Sequence, residues 1–140
     1  MAATIIDKQF GILHYVEDFE GNAFWSGKSV FKNYNIDIHF EALEENPSAR
    51  QRDFLKSIDD LYDDIVPGIY SVLPKMLKED KLLIDEEHFS GMFKPKAIMI
   101  LKVKNNVFEW SMTWQSLINP KHFLSVDFKE FKPIKSLLEK

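Results

Sequence analysis

Asp37, His39 and Glu41 come nearest, in type and spacing, to a chemical site. They alternate with Ile36, Ile38 and Phe40, and alternate residues of an extended strand share one face, about 7 Å apart in succession. A histidine between two carboxylates can bind a divalent metal ion or act as a general base. His14 can approach the same face from a neighbouring strand and would enlarge the set. The competing reading, and the commoner outcome for such a pattern, is the polar outer face of a half-buried strand.

Other catalytic chemistry lacks its residues. The absence of cysteine removes thiolate nucleophiles, Cys-based zinc sites and disulfides. Glu86, Glu87 and His88 lack the second histidine, one helical turn away, that a zinc hydrolase helix needs. His122 stands near Pro120 with no acidic partner in sequence. The serines occupy no nucleophile elbow, and five scattered glycines build no phosphate cradle. The expectation is a non-catalytic protein without cofactors; the alternative is a small enzyme or metal-binding protein using Asp37, His39 and Glu41.

Recognition chemistry is better represented. Asp59, Asp60, Asp63 and Asp64 fall late in a stretch of helical periodicity, where positions 60, 63 and 64 share a face. Acids near the C-terminal end of a helix oppose its dipole, at up to ~1 kcal/mol per exposed charge at low salt. No compensation is visible in the sequence, so either a partner uses these charges or they are a solvated face. Charge is also unevenly spread, because the net −4 conceals −5 over Glu41–Asp64 and +5 over Lys94–Lys140. Asymmetry of that kind bears on partners more than on fold.

Trp25, followed by Ser26, Gly27 and Lys28 in a poorly alternating strand, reads as the most exposed of the three tryptophans. Trp is enriched at the energetic centres of interfaces. Trp110 and Trp114 share a face with Phe108 and Met112 and read as core. The predicted binding set is therefore Asp59, Asp60, Asp63, Asp64 and Trp25, meeting a protein partner with a basic surface. Neither nucleic acid nor membrane is expected as a partner, and the oligomeric state is left open.

The elements that must position these residues follow from periodicity. The chain has 140 residues, 45% hydrophobic, with 12 Phe, 3 Trp and 4 Tyr, enough to close one core without disulfides or metal. Phe10–Val16, Ala23–Phe31 and Tyr34–Ala42 read as strands, the third with the cleanest alternation. Asn46 suits an N-cap and Pro47 the first helical position, after which Phe54, Ile58, Leu61 and Ile65 recur at helical spacing. Pro67 and Gly68 should break or kink that helix, with a shorter helical segment resuming over Ile69–Leu77. Glu79–Pro95 reads as irregular, with a short extended piece at Leu82–Ile84.

Lys96–Lys104 and Val107–Gln115 form a hairpin across Asn105 and Asn106, types that tolerate positive φ. His122–Phe128 is the last strand, and Pro133–Lys140 a terminal helical turn. The predicted fold is one α+β domain spanning residues 1–140, with an antiparallel sheet of five to six strands: three strands, a helical block, three strands, the helices packed on one face. The first residues lack the basic start and apolar run of a signal peptide, and no stretch approaches the ~20 apolar residues of a membrane span. A soluble, cytoplasmic protein is expected.

The passage NPSARQRDFLKSIDDLYDDIVPGIYSVL, after a strand ending in IDIHFEA and before a strand HFLSVDFKEF, resembles a group of small bacterial domains of unknown function. Several members of that group resemble immunity proteins of polymorphic toxin systems. The resemblance implies a cytoplasmic protein that neutralises a partner toxin by direct binding. It carries over no functional residue.

Overall fold

The computed structural model of the protein describes residues 3–42, 46–69, 72, 89, 91–101, 103 and 105–139. The strands are β1 (Thr4–Asp7), β2 (Gly11–Glu17), β3 (Ala23–Phe31), β4 (Tyr34–Glu41), β5 (Phe93–Ile100), β6 (Glu109–Ser116), β7 (Phe123–Lys129) and β8 (Lys132–Glu139). A helix, α1 (Ala49–Ile69), falls between β4 and β5. All eight strands join one sheet in which spatial order equals chain order. Every neighbouring pair is antiparallel except β4 and β5, which run parallel. No helix among the described residues is long and apolar enough to cross a membrane, which leaves membrane crossing by strands untouched.

The fold is thus mostly sheet, which overturns the expected α+β arrangement of several helices on an antiparallel sheet of five to six strands. Tight turns link consecutive antiparallel strands, whereas a parallel pair needs a long crossover. The segment carrying α1 is that crossover, and it turns one pair of an otherwise antiparallel sheet parallel. Two strands also exceed the expectation. β1 is four residues long and too short to show a period, and β8 occupies the place where the sequence pattern suggests a helical turn. The helical segment expected over Ile69–Leu77 lies outside the described residues apart from Ile69, which closes α1, and Val72. Leu82–Ile84 and the Glu86, Glu87, His88 triplet lie wholly outside them.

Alternation sorts the sheet into two faces. The inner face carries a register row of Tyr15, Trp25, Phe40, Ile100, Trp110 and Phe128, each directly paired with the next. Trp110 stacks on Phe128 with ring centres 4.1 Å apart, and the Tyr15 ring meets Trp25 edge-on at 5.6 Å. Rings in these geometries add to the burial free energy of the apolar surface. Trp110 and Trp114 lie in this core, as their spacing predicts. The turns match as well: Lys32–Asn33 and Asn105–Asn106 hold both residues at positive φ, the backbone that two-residue hairpin turns prefer.

α1 lies on the inner face. Phe54 stacks on Phe108 at 4.1 Å and on Phe131 at 5.2 Å, and the Trp114 indole N–H donates to the Tyr62 hydroxyl at 2.9 Å. The helix begins at Ala49, two residues after the expected start, because Ser48 is the cap. The Gln51 N–H donates to Ser48 Oγ at 3.1 Å while the Ser48 N–H donates to Gln51 Oε1 at 3.0 Å, a reciprocal capping box. The helix runs on past Pro67 to Ile69. Its buried stripe is Gln51, Phe54, Leu55, Ile58, Ile65 and Ile69, while Leu61, expected inside, is 38% exposed.

Candidate functional site

The outer face of β4 is where the structure places Asp37, His39 and Glu41, all half-buried and opposite the buried Ile36, Ile38 and Phe40. Each faces a residue of β3: Lys28 opposite Asp37, Ser26 opposite His39 and Phe24 opposite Glu41. Asp37 makes an ion pair with Lys28, and Ser26 Oγ lies 2.7 Å from His39 Nδ1. Burial pushes the His39 pKa below its ordinary 6.5, Asp37 working against that shift and Lys28 with it. His14 lies on this face too, but it pairs with the far side of Ser26, two strand spacings (roughly 10 Å) from His39. Among the described residues no three His, Asp or Glu side chains are grouped to hold a metal ion. Asp37 and His39 are turned to Lys28 and Ser26 across the sheet.

The acids of α1 are arranged differently. Asp60, Asp63 and Asp64 are exposed, and none makes an ion pair with another described residue. Asp59, half-buried, is reached by Lys32 of the β3–β4 turn, Nζ to Oδ1 at 3.5 Å. Because α1 runs on to Ile69, these acids lie before its last turn, and the dipole cost expected of them at the helix end does not apply. The β3–β4 turn is held against this half of the helix by Phe31, whose ring meets Tyr62 edge-on at 5.1 Å. Burial, with smaller contributions from Tyr34 and Asp63, pushes the Tyr62 phenol up to about 12, against the opposing N–H of Trp114.

Trp25 does not belong to this surface. It is fully buried at 0% exposure in the inner row, opposite Phe40. The weak alternation of β3 has a structural cause: its inner row reads Trp25, Gly27, Ser29, Phe31, so small residues stand where large apolar ones would signal the face. Leu13 of β2 fills the room at Gly27, and a Cβ built there would meet Leu13 Cδ2 at 2.6 Å. The exposed apolar neighbours of the acids are instead Tyr34 and Leu61, each 38% exposed. Sequence reasoning missed both. Leu61 reads as core by helical spacing, and Tyr34 is placed by a turn that brings β4 under the helix.

At the other end of α1, charge is consumed internally. Arg52 makes an ion pair with the buried Asp7 at the end of β1, with Nη1 3.0 Å from Oδ1, and its Nε donates to the Pro47 carbonyl at 3.2 Å. Asp7 Oδ1 also accepts the N–H groups of Gln9 and Phe10 at 2.8 and 3.1 Å. These contacts hold the Asp7 carboxyl at about 2, the Arg52 hydrogen bond contributing most and burial opposing. Comparison of the chain with models of protein families, with curated proteins and with solved structures finds no match in any of the three.

Proposed function

We propose that this chain is a non-catalytic protein-binding domain, whose partner brings a basic surface to the outward face of the C-terminal half of α1 and the adjoining β3–β4 turn. The observation that carries the reading is the exposure of Asp60, Asp63 and Asp64 without a counter-ion among the described residues, on one face of the C-terminal half of α1, where like charges repel. Asp59 joins them on the rim of the Lys32 contact. Tyr34 and Leu61 supply apolar area beside the charges, in the place the sequence reading gave to Trp25. A cluster of like charges steers encounter, and an aromatic anchor slows departure.

The partner as a toxin, and a cytoplasmic setting, rest on the resemblance to immunity proteins. The test begins with the native host, from which the tagged chain retains its partner. Association and dissociation of the isolated pair are then followed for the parent and for a variant carrying Asp59→Asn, Asp60→Asn, Asp63→Asn and Asp64→Asn. The proposal expects slower association for the variant with little change in dissociation, and faster dissociation for Tyr34→Ala. Equal association rates at low salt would remove the acidic face from recognition.

A further inference from the structure

A cavity of about 350 Å³ opens at the seam between the first half of α1 and strands β3 and β4, lined by Phe10, Phe31, Ile36, Ile38, Leu55 and Ser29 among others. We infer that it is a binding site for a small uncharged amphipathic molecule, one with a ring-sized apolar body carrying a hydroxyl or carbonyl group.

The cavity has a cause in the sequence. Ser29 faces inward, paired with the buried Ile36, at a position where β3 should present a large side chain to the helix. Leu13 fills the equivalent gap at Gly27, whereas the small side chain of Ser29 lines open space shared with Phe10 and Leu55. Three observations separate this space from a packing defect. Its volume matches roughly a dozen waters of liquid, far more than one missing side chain leaves, and falls within the range of small-ligand sites. Its walls are mixed, apolar side chains alternating with polar groups, of which the Ser29 hydroxyl, the Gln9 amide and the Lys56 ammonium have no partner among the described residues. Its walls are also fixed in advance, since Arg52 clamps the β1–β2 turn to α1 through Asp7 and so holds Phe10 opposite Leu55.

Charge at the mouth selects the ligand class. Arg52 is matched by Asp7 and Lys32 by Asp59, while Lys56 stands near Asp53 on the same helix face. The charges cancel, so the mouth offers hydrogen bonds of both senses without favouring either sign of ligand charge.

The probe is 2-naphthol, which is uncharged at neutral pH and carries one hydroxyl on a fused ring. It is titrated into the full chain with methyl-labelled Ile and Leu and followed by NMR. The expected result is saturable shifts of the Ile36, Ile38 and Leu55 methyls with a dissociation constant below about 1 mM, weakened roughly tenfold or more by Ser29→Leu. Should the leucine disturb folding, Ser29→Val narrows the same space and must also weaken binding. 2-Naphthoate and 2-naphthylmethylamine, of opposite charges, should bind no more tightly than 2-naphthol. Absence of saturable shifts, shifts confined to other methyls, undiminished binding in both folded Ser29 variants, or tighter binding of either charged analogue would each overturn the inference.

Discussion

In the first turns of α1, Ser48 and Gln51 cap each other and Arg52 is tied to Asp7 and to the Pro47 carbonyl, whereas in its later turns Asp60, Asp63 and Asp64 meet no partner among the described residues. Both ends carry polar side chains on one continuous helix. At the N-terminal end they satisfy backbone groups and lock β1 to the helix, so they serve the fold. In the later turns they are spaced three and four residues apart and repel one another, so the fold gains nothing from them. A charge that stabilises neither its own helix nor a neighbouring strand is best explained by something outside the chain, and that contrast is what supports a partner surface.

The contrast breaks most visibly at Asp7. Asp7→Ala should cost about 3 kcal/mol, because it leaves Arg52 without its counter-ion and two backbone N–H groups without an acceptor. Asp7→Asn keeps an acceptor for those N–H groups and should cost less, about 2 kcal/mol, the amount linked to the lowering of its pKa from 3.8 to about 2. Denaturant midpoints read both. If Asp7→Ala unfolds at the parent's midpoint, the internal use of charge at this end of the helix is illusory.

The same group fixes a pH window. Because the Asp7 carboxyl is more acidic folded than unfolded, its contribution is complete above pH 3.8 and disappears as pH falls from there towards 2. His39 acts earlier. Burial lowers its folded pKa below 6.5, so the unfolded chain takes up the proton first and stability declines as pH falls below 6.5. Denaturation across this range should show two declines, the upper removed by His39→Asn and the lower reduced by Asp7→Asn, with Asp18, whose carboxyl is also more acidic folded, supplying part of the remainder. Survival of the upper decline in His39→Asn would assign it to another group.

The capping box is a smaller effect. Ser48→Ala should cost about 1 kcal/mol, and Asn46→Ala much less, since Asn46 lies outside the helix cap. An equal loss at both positions would return the cap to Asn46.

The physical reasons for these assignments also explain how much was legible. Ile36, Ile38 and Phe40 alternate with polar residues because β4 lies mid-sheet under the helix, and its outer face was read correctly as the side of Asp37, His39 and Glu41. The turn at Asn105–Asn106 was legible from residue type alone, since it needs two positive φ values. β1 was not legible, because its role rests on an Asp7–Arg52 pair 45 residues apart in sequence. β8 was hidden by its place at the sheet edge, where Pro133 is tolerated and a bulge against β7 disturbs the alternation. Trp25 misled because its neighbours in the inner row are Gly27 and Ser29, and the side chain that covers the glycine comes from another strand. Ser48 with Gln51 three residues on is a capping-box pattern, and that spacing outweighs the Asn46–Pro47 start. For the candidate site, the acids were legible by helical spacing, but Tyr34 and Leu61 beside them depend on the tertiary approach of a turn to the helix.

The most direct test of the partner surface is the association rate of the isolated partner with the parent and the four-Asn variant, measured at low and at high salt. Neutralising Asp59, Asp60, Asp63 and Asp64 should slow association by about tenfold or more at low salt and flatten its salt dependence, with thermal stability unchanged or slightly raised. A variant that associates as fast as the parent at low salt, or that loses binding only because it has lost stability, would contradict the account.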